Sequence, residues 1–219
     1  MKKFFCAILI AFASLSAQAQ VNVIEQPISH YILEDFTIGL IYMKDGVISR
    51  GALNYNSVTE EMLFKDKGRI LAIGKSEVDL VDTVVVGGKL FYPYQGKFLE
   101  IAYKKDGTEL QVEHKCRVIE PPKPSAFGTT TETANSKSYT NLTANGMFYA
   151  LKLPEGFRVV PFKYYWFREG DKMTKVINTR QLAKYFSKDK AKYDRYMKEN
   201  KVSFNKAEEI TALVKHMME

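Results

Sequence analysis

The sequence predicts an α+β fold: an antiparallel β body, built as a curved sheet, a sandwich or a partial barrel, followed by a C-terminal helical appendage. Three observations carry this reading. From Phe36 onward, short apolar runs alternate with tight-turn pairs such as Asp45-Gly46, Lys67-Gly68 and Asp106-Gly107. After Asn178 the apolar spacing changes from two to three or four. Strands grouped first and helices grouped last give α+β rather than an alternating α/β order.

The chain opens with MKKFFCAILIAFASLSAQAQ. Lys2 and Lys3 form a basic start, Phe4 to Leu15 an apolar run, and Ala17-Gln18-Ala19 a small-x-small cleavage signal. This three-part pattern predicts a secretory signal peptide over 1–19, cut between Ala19 and Gln20. The run is shorter than the roughly 18 apolar residues a membrane span needs, and no later stretch reaches that length. Cys6 lies inside the apolar run rather than at the cleavage point, so no lipid anchor is expected there. Cleavage also leaves Cys116 as the lone cysteine, which rules out an intramolecular disulfide in the exported chain. The expected location is the periplasm, the outer cell envelope or the medium.

The formal net charge of +7 is unevenly spread. Residues 155–219 hold 15 Lys/Arg against 9 Asp/Glu, whereas residues 20–154 hold 15 against 16. A basic tail invites a nucleic-acid reading, but export argues against nucleic acid as a partner. A solvated helical face is the plainer account, with an anionic surface or acidic partner as the functional one.

The β body covers residues 20–177. FTIGLIYM reads as a strand buried on both sides, and VISRGALN returns from the Asp45-Gly46 turn. EEMLFK and RILAI form a hairpin through Lys67-Gly68. There, alternation places Met62 and Phe64 on one face and Glu61, Leu63 and Lys65 on the other. Glu60 and Glu61 therefore diverge, and do not make a paired-carboxylate centre. TVVVGG, KLFYPY, FLEIAYKK and TELQVEHKCRVI continue the series. Residues 120–146 are a long polar loop rich in Pro, Thr, Ser and Asn, of the kind that often carries function. MFYALKL, RVVPFKYYWFR and KMTKVIN resume as strands.

Residues 178–219 read as a helical subdomain. Asn178 with Gln181 forms a capping box, Ser187 caps a second helix, and Asn205 with Glu208 forms a further box. Ile210, Leu213, Val214 and Met217 make one apolar stripe.

YNSVTEEMLFKDKGRILAI, VDTVVVGGKLFYPY and the tail NTRQLAKYFSKDKAKYDRYMKENKVSFNKAEEITALVKHMM resemble a family of exported, functionally uncharacterised proteins of Gram-negative, Bacteroidetes-type bacteria. The resemblance spans residues 36–219, including AFGTTTETA, and the tail is its most specific part. It implies a curved β body, a small helical tail and an envelope location. It carries over no catalytic or binding residue.

Signatures of chemistry are sparse. His114 and Cys116, at i and i+2, share a strand face with Leu110, Val112 and Val118. A thiolate with its base would need this spacing, yet an apolar setting makes a thiol inert; a buried structural pair is expected. His30, His114 and His216 are too scattered for a metal site. Gly87-Gly88 leads into a strand-like run, so it is no phosphate loop. No cofactor is implied. Tyr164, Tyr165, Trp166 and Phe167 are candidates for a ligand platform, against the alternative that they fill a core. Asp82-Thr83-Val84 resembles an O-glycosylation site of exported bacterial proteins, making Thr83 a modification candidate.

These residues favour an exported, non-catalytic protein that binds an envelope protein or other macromolecule. A hydrolase of envelope polymers or glycans is the alternative, and a carrier of a small lipophilic ligand is the third.

Overall fold

The computed structural model describes residues 30–119 and 158–219, together with two short strand pieces between them. The signal segment with Ala19 and Gln20, most of the 120–146 loop and the MFYALKL segment lie outside the described residues. The strands in chain order are β1 (Thr37–Met43), β2 (Ile48–Asn56), β3 (Glu61–Asp66), β4 (Arg69–Ala72), β5 (Val81–Val86), β6 (Lys89–Tyr94), β7 (Lys97–Lys105), β8 (Thr108–Ile119), β9 (Lys123–Pro124), β10 (Thr130–Thr131), β11 (Arg158–Glu169) and β12 (Lys172–Val176). Among the described residues, ten of them form one open antiparallel sheet in the order β12-β11-β8-β7-β6-β5-β1-β2-β3-β4. Among the described residues β9 and β10 pair with each other, outside that sheet.

Turn chemistry accounts for the regular hairpins. Lys67-Gly68, Gly87-Gly88, Gln95-Gly96 and Asp106-Gly107 each place two consecutive residues at positive φ. That is the two-residue turn whose twist matches the flanking strands. Asp45-Gly46 differs from expectation. Only Gly46 is left-handed, and Met43 N donates to Val47 O at 2.9 Å, so the loop is longer. Gly39 serves packing instead: a Cβ there would sit 2.6 Å from the Val85 carbonyl oxygen.

The sheet curls without closing. β8 pairs with β7 only from Glu100↔Val112 onward, so Lys97, Phe98 and Leu99 ladder with β6 alone. The β2–β3 turn reaches this splayed end, where the Ser57 hydroxyl lies 3.1 Å from Cys116 Sγ. One core fills the curl with Leu53, Tyr55, Met62, Val84, Val86, Phe91 and Phe98. Leu63 is as fully buried as Met62, so β3 is covered on both faces where simple alternation predicts one. β1 departs the other way. Its Ile38 is 56% exposed among the described residues.

The helices are α1 (Lys75–Val78), α2 (Thr179–Tyr185), α3 (Lys190–Asn200) and α4 (Ala207–Met217), with a 3-10 turn at Ser187–Asp189. Asn178 caps α2 as expected, accepting from Gln181 N at 2.9 Å. Gln181 reaches back to Ile177 N rather than to the cap itself. The other two caps are corrected. Ser187 begins the 3-10 turn, and α3 starts at Lys190 with no side-chain cap. α4 has no side-chain cap from Asn205; instead Glu209 accepts from Ser203 N at 2.7 Å and from Lys206 Nζ.

The apolar stripe of α4 does what its spacing predicts. Ile210, Leu213 and Val214 are fully buried with Leu182 and Tyr193 against Leu110, Val112, Tyr165 and Phe167. Each large aliphatic group buried here contributes roughly 1.5–3 kcal/mol. Helices and sheet thus share a single core cluster. Among the described residues, no helix is long and apolar enough to cross a membrane.

Candidate functional site

β8 and β11 divide the aromatic run between two environments. Tyr165 and Phe167 lie under the helices; Phe167 stacks on Tyr185 at 3.8 Å, and the Tyr165 hydroxyl donates to Phe204 O. They belong to the core and cannot hold a ligand. Tyr164 and Trp166 lie on the opposite, polar face. There Lys175 Nζ sits over both rings, 4.7 and 4.8 Å from their centroids, and Tyr94 packs edge-on against Trp166. The protein's own lysine therefore occupies the platform that a sugar or peptide would use.

Lys175 also reaches Glu113, the centre of a buried ionic cluster. Glu113 is fully buried and accepts from Lys175 Nζ at 2.9 Å, from Trp166 Nε1 at 2.8 Å and from Lys97. Lys97 and Lys115 both bond Glu60 at the tip of the β2–β3 turn. Burial alone would raise the Glu113 carboxyl, but Lys97, Lys175 and Trp166 together hold it down at about 2. An acid this strong is ionised throughout the ordinary range, so it cannot donate a proton in general-acid catalysis. The cluster instead ties the β2–β3 turn to β7, β8, β11 and β12.

His114 and Cys116 do not pair with each other. His114 Nε2 lies 2.6 Å from Glu100 Oε2, and Glu100 Oε1 accepts from Lys89 at 2.6 Å. Burial pushes Glu100 up, yet these partners leave it below the usual carboxylate range. Cys116 is half-buried beside Ser57; its thiol is pushed up by burial, which keeps it protonated and unreactive. No nucleophile–base arrangement results. Among the described residues, no group of three or more His, Cys, Asp or Glu side chains is placed to hold a metal ion.

A groove of about 510 Å³ lies on the polar face. Lys44, Asp82, Tyr92, Lys104, Glu109 and Arg168 line it. They come from β5, β6, β7, β8 and β11 and from the loop after β1, six neighbours in the sheet. At the usual strand spacing those neighbours span roughly 24 Å. Two β-bulges feed the groove. One lies in β5, where Met43 pairs with Val81 although Tyr42 pairs with Thr83. It leaves Asp82 as the extra residue, beside Thr83 in the groove wall. The other lies in β7 between Ile101 and Tyr103, and it turns Lys104 to the Glu109 side of the sheet. Bulges re-aim side chains in this way and are frequent beside functional sites. On the floor, Glu109 is buried, 2.8 Å from Lys104 Nζ and 2.9 Å from Gln111 Nε2, with Arg168 at 3.8 Å. Burial works to raise Glu109, and these donors hold it below the ordinary value. Thr83 sits mid-strand opposite Tyr42, its hydroxyl donating to Asp82 at 3.0 Å.

The sequence reading missed Glu109, Glu113, Lys104 and Arg168. A signal for the two acids was present. In TELQVEHKCRVI, Glu109, Gln111, Glu113, Lys115 and Arg117 alternate with the core side chains as cleanly as those side chains do.

No family model matches the chain, and no curated protein or solved structure shows significant similarity to it.

Proposed function

We propose that this chain is an exported, non-catalytic binding module of the bacterial cell envelope, as its signal segment and family resemblance suggest. It engages its partner through the polar face of the sheet. The observation that carries this is the groove, whose walls two bulges supply and whose floor is an ionised carboxylate. The hydrolase alternative is disfavoured by the same carboxylates. A glycosidase needs one acid whose affinity for its proton is raised, whereas Glu109 and Glu113 are both shifted downward. A carrier of a lipophilic molecule is disfavoured by the filled curl, where Tyr55, Phe91 and Phe98 are buried against one another.

The test is cross-linking in intact cells followed by affinity capture, comparing the native chain with a Lys104→Ser/Arg168→Ser variant. Both side chains are well exposed, but their loss leaves the buried Glu109 with Gln111 alone, so circular dichroism and thermal melting must first show that the variant is folded. Deleting residues 178–219 would be a poor control, since it strips the cover from Leu110, Val112, Tyr165 and Phe167. Capture of one component that the variant fails to retain supports the proposal. Turnover of an envelope polymer by the native chain would overturn it.

A further inference from the structure

Resting on that reading, we infer that the groove's ligand is a linear carbohydrate chain bearing acidic groups. The lining mixes donors and acceptors: Lys104 and Arg168, already beside Glu109, and Lys44, which bonds Asp79 O, each keep further N–H donors; Asp82 keeps acceptor capacity beyond its bond from Thr83; and the hydroxyls of Thr83 and Tyr92 can accept. A sugar ring presents hydroxyls that donate and accept around an apolar body, so it needs both kinds of partner and one aromatic surface. Tyr92, on β6 near the middle of that row, supplies that surface.

The order of charges across the sheet runs positive at Arg168, negative at Glu109, positive at Lys104, negative at Asp82 and positive at Lys44. Cations outnumber acids by one, and they stand at both ends, which favours a chain that carries negative groups. A nucleic acid is a poorer match, because its backbone offers few hydroxyls to donate to the carboxylates of Asp82 and Glu109, whereas every uronate residue keeps hydroxyls beside its charge.

An extended peptide is disfavoured for a separate reason. Peptides that add to a sheet bond the main chain of an edge strand. The edges here are β12 and β4, whereas the groove crosses β8, β7, β6 and β5 in the middle of the sheet, where only the short stretch of β5 and β6 beyond Val84 and Phe91 lies outside the ladder between those two strands. Recognition in the groove therefore runs chiefly through side chains.

The experiment uses the exported chain with three probes: a linear polyuronate, an uncharged polysaccharide of similar length, and poly-glutamate. Binding is measured by calorimetry at low and at physiological salt, for the native chain and for Lys104→Ser, Arg168→Ser and Tyr92→Ala. Lys198→Ser, on an exposed part of α3, is the control, and circular dichroism and thermal melting certify each variant's fold. The expected result is polyuronate binding that weakens at least tenfold in each groove variant and with added salt, is unchanged in Lys198→Ser, and exceeds binding of the uncharged chain. Groove-dependent binding of poly-glutamate without polyuronate would overturn the carbohydrate assignment and leave the binding-module reading standing. Release of reducing ends from bound polyuronate would keep the carbohydrate and overturn the non-catalytic reading. Failure of all three probes overturns the ligand class; groove-dependent capture from cells then decides whether the binding module survives.

Discussion

The two faces of β11 present the same residue types in opposite settings. Tyr165 and Phe167 meet hydrocarbon: α2, α3 and α4 cover them, and their neighbours are Leu110, Val112 and Leu182. Tyr164 and Trp166, one residue away on the same strand, meet Lys175, and Trp166 also donates to Glu113. Both faces are well packed, but they are held by different forces. The helix-covered face relies on removal of apolar surface from water, which no proton can switch off. The polar face relies on charges whose desolvation only complete pairing can offset. An aromatic run by itself therefore says little about binding; what faces each ring decides its role.

The sharpest break in this comparison comes from the apolar side. Phe167→Ala removes a ring that contacts Tyr185 and Phe186 and leaves a cavity beneath α2. We expect a loss of about 3–5 kcal/mol, with the urea midpoint lowered and the slope unchanged. A loss below about 1 kcal/mol would mean that the helices do not stabilise the sheet through this cluster.

Glu113→Gln is next. It removes the negative charge that Lys97 and Lys175 share, leaving Lys97 with Glu60 and Lys175 with only a neutral acceptor, and breaking a buried pair on one side costs about 3–5 kcal/mol. Lys175 remains 35% exposed and can turn toward water, so the expected loss sits at the lower end. Replacing Lys175 instead should cost less, because Glu113 keeps Lys97 and Trp166. Equal losses in the two variants would show that Glu113 is not the centre of the cluster.

Acid separates the faces without any substitution. Glu113 is held at about 2 in the folded protein against an ordinary 4.5. Glu100 and Glu109 are shifted the same way. A lowered value means that the unfolded chain takes up protons first as pH falls. The stabilisation is thus complete above about pH 4.5 and lost progressively towards pH 2, by roughly 2 kcal/mol for Glu113 after allowance for screening. Denaturant midpoints measured across that window should fall for the native chain and less steeply for Glu113→Gln. Parallel slopes would place the acid sensitivity elsewhere.

How far the sequence carried this reading follows from the same contrast. Hairpins were legible because their turns are local: Lys67-Gly68 and Asp106-Gly107 determine the backbone conformation that joins their strands. The α4 stripe was legible because four residues at helical spacing share a face whatever they meet. The groove was not. Its walls depend on bulges in β5 and β7, each defined by pairing with a distant strand. The partners of Glu113 come from β7, β11 and β12, and only the completed sheet gathers them. Alternation in β8 could reveal a polar face, but not that it would be buried.

The smallest effect tests local reading against tertiary context. Asn178 and Asn205 look alike in sequence, each before a helix with a Gln or Glu three residues on. Asn178 accepts a hydrogen bond from Gln181 N and satisfies an otherwise orphaned donor of α2. Asn205 offers α4 no such bond, since Lys206 is the cap and Glu209 provides the acceptor for Ser203 N. Asn178→Ala should therefore cost about 1 kcal/mol, and Asn205→Ala less than about 0.5 kcal/mol. Paired urea curves measure both. Equal losses would mean that Asn205 caps α4 in solution, and the helix start would then be the one its sequence spells.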